Sequence, residues 1–452
     1  MKKFVALVLV VCSCFCFVAC KKTNKTPKSV SVSMEAGLTD EPTTYNYTFD
    51  YRDKYFLNSA TEFNKDLALV SFGAVLASQS KEDVNKFLSH LRFKKVESSS
   101  YNSAPTTSSI GFAIAQKKIS GTTTVAVIVR GFDYDLEWTS NMTVGENGNH
   151  TGFDQSATVV YSALKNYIQS NNIDGELKLW IAGYSRGGAV ANVLAQKILS
   201  KNEISTNKTN MFVYTFEAPR GLSAQNAQKY ENVFNIVNSC DLITHILPAE
   251  YDLYRCGIDV EIYRTDLATL LTEFDANIVL PRFISAQAQT DVEDEDEVVL
   301  NFATPQEFIE FLIKTILREQ QGDDVYLDMS TRENFVQNIQ PTLQYITTML
   351  FTLKPETVDS IITEVRSIGI TDIFSLLDDN GVYNFLKPFI DDDGADYNDA
   401  ELLEHSEKIR NFILRDGMVL SAVALLYKDN VELAIDMHFP EINYVLLKNY
   451  NG

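Results

Sequence analysis

One stretch constrains the fold of this chain more than any other. Residues 177–182 are apolar except for Lys178 and pass into the turn Gly183-Tyr184-Ser185-Arg186-Gly187, after which Gly188, Ala189 and Ala191 open a helix-forming segment that ends near Ser200. A strand with so little polar alternation is buried on both faces, which a parallel sheet achieves with helices packed on either side. A helix that folds straight back onto the strand it has just left needs small residues at the contact. The sharp turn between them strains the backbone at its serine and pushes that side chain out of the sheet. A tight anion-binding turn at a helix N-terminus uses similar residues, so the remainder of the chain decides between the two.

That remainder alternates strands with helices, the pattern of a mostly parallel sheet covered on both faces. β-rich runs at 110–115 and 123–129 are joined by a Ser120-Gly121 turn, a helix is expected over 153–170, and further strands at 211–216 and 233–237, with 260–263 as an edge strand. Residues 59–76 and 81–91 read as a helical lead-in. From about 265 to 430 the pattern changes to long helical segments. Thr304-Pro305-Gln306-Glu307 is a capping-box start with Phe308, Phe311, Leu312 and Ile316 on one face, and other helices are expected over 334–353, 356–377 and 399–427. The acidic run 293–297 and the cluster Asp391-Asp392-Asp393-Gly394 read as solvated, the second lacking the spacing of a calcium loop. With 452 residues, 45% of them hydrophobic, the chain can bury one large α/β core and still carry this insertion.

A serine hydroxyl becomes a nucleophile when a base of near-neutral pKa lies beside it, and the chain offers His90, His150, His245, His405 and His438. On an α/β sheet of this kind the acid and then the histidine follow the serine, each on a loop after a later strand. His90 and His150 come too early, His245 lies only four residues past Asp241, and His405 sits in Glu404-His405-Ser406-Glu407, the composition of a solvated helix face. His438, flanked by Met437, Phe439 and Pro440 close to the C-terminus, is the expected base. Asp241 follows the run 233–237, where a strand opens at the carboxyl edge of the sheet, and is the expected orienting acid; a capping aspartate is the plainer reading of such a position. The backbone amides of Arg186 and of Phe132, the latter after Arg130-Gly131, are the expected oxyanion donors. No His/Cys cluster has zinc spacing, and neither metal nor cofactor is expected.

The balance of 39 basic and 60 acidic residues, a net charge of −21, argues against nucleic-acid binding and against electrostatic attraction to anionic lipid. Any membrane attachment is then apolar or covalent. The N-terminus offers one: Lys2-Lys3, an apolar core from Phe4 to Phe17, and small Ala19 before Cys20 resemble a bacterial lipoprotein signal over 1–19 with Cys20 as the lipidated residue, although an ordinary secretory leader fits the same features. Residues 20–45 read as a polar tether and 46–452 as the folded domain. Cys12, Cys14 and Cys16 fall in the leader, so Cys240 and Cys256 remain as a pair or as buried thiols.

Arg130-Gly131, Trp138 with Asn141, His150-Thr151-Gly152-Phe153, Gly183 to Gly188, Thr215-Phe216-Glu217-Ala218-Pro219-Arg220 and Asn238 through Asp241 to Pro248 occur in fixed order. In this the chain resembles the class 3 lipase family, and especially the bacterial branch of lipase-family proteins, over about 51–256 and again at His438-Phe439-Pro440-Glu441 with Tyr444. The resemblance implies an α/β-hydrolase fold with a large helical insertion, a cap or lid, before the catalytic histidine. It implies cleavage of lipid carboxylic esters through an acyl-enzyme by Ser185, Asp241 and His438, and makes His150 part of a structural motif. Where many members have a Ser or Thr after the Arg-Gly pair, Phe132 offers only its amide.

The expected function is hydrolysis of acylglycerols or phospholipids at the cell envelope by a lipid-anchored enzyme, with no protein partner. An inactive lipid-binding lipoprotein on the same scaffold, or a peptidase or acyltransferase with the same triad, are the alternatives. The insertion is either a lid of amphipathic helices or a subdomain with its own core.

Overall fold

The strand that carries the serine is the central one of seven. The sheet runs β11-β9-β7-β6-β5-β4-β3, from β11 (Ile258–Glu261) through β9 (Val233–Val237), β7 (Met211–Phe216), β6 (Lys178–Tyr184), β5 (Thr122–Val129) and β4 (Phe112–Ile119) to β3 (Lys94–Glu97). The five from β11 to β5 are parallel, β4 and β3 add antiparallel, and the short strands β8 (Leu222–Ser223) and β10 (Leu253–Tyr254) pair with each other outside this sheet. The computed structural model describes residues 28–36, 43–102, 106, 108–131, 137–272, 274, 278–280, 302, 304–316, 329, 331–367, 375–376, 378–412 and 428–451. The leader, Cys20, Phe132 and the acidic run 293–297 lie outside these residues.

Side chains alternate across the sheet and are apolar on both faces. On one face Val125, Val127, Leu179, Ile181, Met211 and Val213 pack against the helices Thr151–Ser170 (α3) and Arg186–Lys201 (α4). On the other, Ala126, Trp180, Ala182, Phe212, Tyr214 and Phe216 pack against helix α1 (Lys65–Ala77), which begins after the Asn64 cap and precedes α2 (Lys81–His90). The Trp180 indole is satisfied by donating to Ser71 Oγ of α1 at 2.8 Å.

Helix α1 buries residues around its whole circumference, so something must cover its outer side. The cover is an antiparallel hairpin of β1 (Lys28–Ala36) and β2 (Thr43–Tyr51), which turns Val30, Val32, Tyr47, Phe49 and Tyr51 inward. The expected tether over 20–45 is therefore corrected where it is described: residues 28–36 and 43–45 are strand, and the alternation of Val30 and Val32 with serines is the pattern of a half-buried strand. The expected edge strand is present, two residues earlier than expected and paired in parallel with β9.

The helical insertion divides in two. Helix α5 (Pro305–Ile316) buries Phe308, Ile309 and Leu312, and Ile309 joins the main core together with Leu433 and Ala434 of α10 (Lys428–Asp436). Helices α6 (Gln340–Thr352), α7 (Pro355–Ser367), α8 (Gly381–Asp393) and α9 (Asp399–Phe412) enclose a separate core of Met349, Leu353, Ile361, Ile390 and Leu402. Helix α8 differs from the sequence expectation of a solvated acidic turn at 391–394: it runs to Asp393 with Pro388 inside it, a residue that argues against a helix in sequence. Asp393 is in fact buried, accepting from the Lys354 amide at 3.1 Å and from Thr357 Oγ1 at 2.6 Å, which caps α7. Arg332 fastens the insertion to the body. Its guanidinium donates to the carbonyls of Val144, Gly145, Asn147, Gly148 and Asn149.

Candidate active site

β6 ends at Tyr184 and α4 begins at Arg186, so Ser185 alone makes the turn, with φ 52° and ψ −124°. Such a backbone costs on the order of 1–3 kcal/mol in a non-glycine residue and persists only where the surroundings over-determine it. They do. The Ser185 amide donates to Phe216 O at 2.8 Å, and a Cβ on Gly187 would lie 2.5 Å from Arg130 O, so α4 sits directly against the end of β5. Gly131 in turn lies so close to the Tyr184 carbonyl that a side chain there would overlap it. The chain leaving β5 thus passes beside the elbow, where the sequence placed the second oxyanion donor. The Arg186 amide stands at the N-terminus of α4, and its side chain is buried, donating to Asn141 Oδ1, Ser109 O and Ser156 Oγ.

The histidine arrives from the far end of the chain. His438 lies in the turn between α10 and α11 (Pro440–Lys448), and Nε2 is 2.9 Å from Ser185 Oγ while Nδ1 is 2.6 Å from Asp241 Oδ2. Asp241 is fully buried. Its Oδ1 accepts from the Ile243 amide at 2.8 Å, so the acid also caps a one-turn helix. Ser185 retains 9% exposure. With Asp241 holding Nδ1 as the N–H, Nε2 is free to accept the serine proton.

Residues the sequence did not single out hold the His438 turn. Tyr184 donates its hydroxyl to His438 O at 2.7 Å, Asn443 Nδ2 donates to Tyr184 Oη and to Met437 O, and Asn238 Nδ2 also donates to Met437 O. Burial pushes the Tyr184 phenol well up, so it remains a donor. Glu217, directly after β7, is fully buried with φ 46°, and its carboxyl accepts from the Asn238 amide at 2.9 Å. Burial, and then the charge of Asp241, raise its pKa well above the carboxylate range.

The other histidines do not reach Ser185. His150 is buried at the start of α3, stacked on Phe153 at 3.9 Å, with Nδ1 accepting from the Phe153 amide and Nε2 against Asn141 O at 3.1 Å. Burial lowers its pKa to about 3. Together with Asn141 and Arg186 it forms one buried polar knot. His245 faces Arg220 and Arg255, and burial with these charges lowers its pKa. His405 departs from its solvated reading: it stacks on Tyr345 at 4.1 Å and meets Thr342 Oγ1 at 3.3 Å. Cys240 and Cys256 are buried free thiols, and burial pushes Cys240 up to about 12. Among the described residues no cluster of three His, Cys, Asp or Glu side chains is placed to hold a metal.

The sheet, the elbow and the hydrogen-bonded Ser-His-Asp line define a serine hydrolase on an α/β-hydrolase fold. Within that class, residues 118–251, which include Ser185 and Asp241, match the family of class 3 lipases. Solved structures similar to this chain include the Rhizomucor miehei triacylglyceride lipase, at 18% identity over 44% of this chain and 82% of that one with a TM-score of 0.34. Lipase II from Rhizopus niveus is 17% identical over 46% of this chain and 80% of that one, with a TM-score of 0.32. These global likenesses bear no weight beside the site's own geometry. No curated protein matches the chain.

Proposed function

We propose that the chain hydrolyses carboxylic esters of lipids, acylglycerols or phospholipids, through an acyl-enzyme on Ser185 at the cell envelope. The observation that carries the chemistry is the unbroken line from Asp241 Oδ2 to His438 Nδ1 and from His438 Nε2 to Ser185 Oγ, at 2.6 and 2.9 Å. His438 takes the serine proton as Oγ attacks the ester carbonyl, and Asp241 stabilises the imidazolium that forms. The imidazolium then returns the proton to the departing alcohol. Water repeats the sequence in reverse to free the acid. The developing oxyanion is stabilised by the Arg186 amide, whose orientation is fixed by the start of α4, and by the Phe132 amide, which the sequence places after Gly131.

Lipid as the alcohol or acyl component is supported by the class 3 lipase match over 118–251. Attachment through a lipid on Cys20 is supported by the leader and by the net charge of −21, which leaves an apolar anchor as the simplest route to a membrane. A panel of esters of graded acyl length, emulsified triacylglycerol and phospholipid tests the reading. Turnover of the lipid substrates that disappears in Ser185→Ala is expected. Hydrolysis confined to short soluble esters, or turnover that survives the substitution, contradicts it. Radiolabelled palmitate incorporated by cells into the wild-type chain and not into Cys20→Ser tests the anchor, and equal incorporation in the two rejects it.

A further inference from the structure

At the end of the sheet opposite the triad, a cleft of about 710 Å³ opens between β3, the hairpin of β4 and β5, and the segment after α3. Thr123 in its wall stands near the start of β5, whereas Val129 at the other end of that strand pairs with Gly183 of the elbow. Roughly 20 Å of strand therefore separates the cleft from the reacting serine. Its walls carry Arg92, Lys94, Lys95, Lys117 and Lys118 against one acid, Asp174. In a chain with 60 acidic and 39 basic residues, this gathering of cations runs against the composition.

Lys117 is already committed: its ammonium pairs with Asp53 and donates to Leu91 O at 2.7 Å. The other four are exposed, and among the described residues none of them makes an ion pair. The backbone is shaped to gather them. In a regular strand Lys94 and Lys95 would point to opposite faces, but Lys95 has φ 53° and the register with β4 shifts between Lys94 and Glu97, a bulge that leaves both side chains lining the cleft. Arg92 has φ 67°, the left-handed position after α2 where glycine is the usual residue. Glycine would adopt both conformations without strain, and the chain places cations there instead. Lysines on an edge strand also discourage strand pairing, and cations are favourable near the C-terminus of α3, but neither role calls for a bulge that draws them into one concavity.

Four like charges around one concavity repel one another until an anion joins them. One carboxylate cannot serve four cations. A phosphate group brings up to two charges and several acceptor oxygens, and Gln116, Thr123 and Asn172 stand among the lysines as neutral polar partners. Asp174 opposes any anion, so a ligand of single charge gains little. We propose that this cleft is a binding site, separate from the active site, for a phosphate-bearing anion of at least two charges, held by Arg92, Lys94, Lys95 and Lys118. Either a free phosphate compound or the headgroup of a lipid presents that chemistry. A headgroup can reach it because β1 starts at Lys28 opposite Tyr51, whose hydroxyl lies 3.3 Å from Lys117 Nζ, so the chain enters the domain beside the cleft.

The test is isothermal titration calorimetry of the folded Ser185→Ala chain, in which no ester is turned over, with pyrophosphate, glycerol 3-phosphate and dihexanoyl phosphatidic acid at low ionic strength. Saturable binding of one phosphate ligand per chain is expected, weakened on the order of ten-fold or more in Lys94→Gln/Lys95→Gln/Lys118→Gln. The matched control Lys86→Gln/Lys201→Gln/Lys208→Gln removes the same charge from exposed positions elsewhere and should leave the affinity within about two-fold. Tighter binding of pyrophosphate assigns the site to a free phosphate compound, and tighter binding of phosphatidic acid assigns it to a lipid headgroup; each supports the site when the cleft variant loses it. No saturable binding of any of the three, an unchanged affinity in the cleft variant, or equal weakening in the control overturns the proposal. Because the measurement needs no catalysis, it decides the question whether or not lipid esters are the substrates.

Discussion

At Ser185 three separate demands meet: a strained backbone, a buried acid and a histidine more than 250 positions away in sequence. Asp241 supplies orientation and not proton uptake, so Asp241→Asn is expected to reduce kcat by about 10³ to 10⁴ while leaving the melting temperature within a few degrees. A loss under ten-fold contradicts that role. Gly187 is a packing requirement of the same site. A Cβ there meets the carbonyls of Arg130 and Val129, backbone atoms that cannot move aside, so Gly187→Ala should cost roughly 1–3 kcal/mol in urea denaturation and lower activity with it. His150 has a different consequence, for pH. Its folded pKa, about 3, lies below the ordinary 6.5, so the folded state prefers it neutral. That preference contributes fully above about pH 6.5 and is lost as the pH falls toward 3, because the unfolded chain takes up the proton first. Stability should therefore drop between pH 6.5 and 4, and the drop should be shallower in His150→Gln, measured by thermal denaturation against wild type at each pH. Parallel curves would show that His150 is not the buried neutral group described.

How far the architecture was legible depended on where each element gets its stability. The strands of the parallel sheet and helices α3 and α4 carry their burial in their own composition, so apolar runs, small residues and caps located them to within a few residues. The β1–β2 hairpin is stabilised by what it covers. Its alternating valines and serines, set just after Lys21, Lys22 and Lys25, read as a tether because the need of α1 for cover on its outer face is not visible in sequence. Ser185, Asp241 and His438 were legible because chain order restricts a triad, whereas Tyr184, Asn238 and Asn443 act through backbone carbonyls of a turn that no spacing rule locates. Glu217 stood in plain view after an apolar strand but carried no partner in sequence. Within the insertion, α6 to α9 share their own core, and α5 is buried against the body. Arg332 tests that attachment. Arg332→Met keeps the aliphatic stem but leaves five carbonyls without their cation, and a loss of about 2–4 kcal/mol is expected. Unchanged stability in urea would mean the insertion is held elsewhere.

Taken as one molecule, the chain encloses its sheet from three directions: α3 and α4 on one face, α1 with the hairpin on the other, and the α5, α10 and α11 group closing over the edge that carries His438. A chain truncated to begin at residue 52 should consequently melt well below one that begins at 28, whereas a tether would be dispensable. A net charge of −21 disfavours attraction to anionic lipid, so the proposed anchor at Cys20 and substrate access at the site are separate proposals, tested separately. The central claim concerns the site. A fluorophosphonate probe followed by intact mass and peptide mapping tests it most directly. One adduct per chain on Ser185 is predicted, absent from Ser185→Ala and formed orders of magnitude more slowly in His438→Ala, whereas folded wild-type protein left unlabelled at Ser185 would contradict the account.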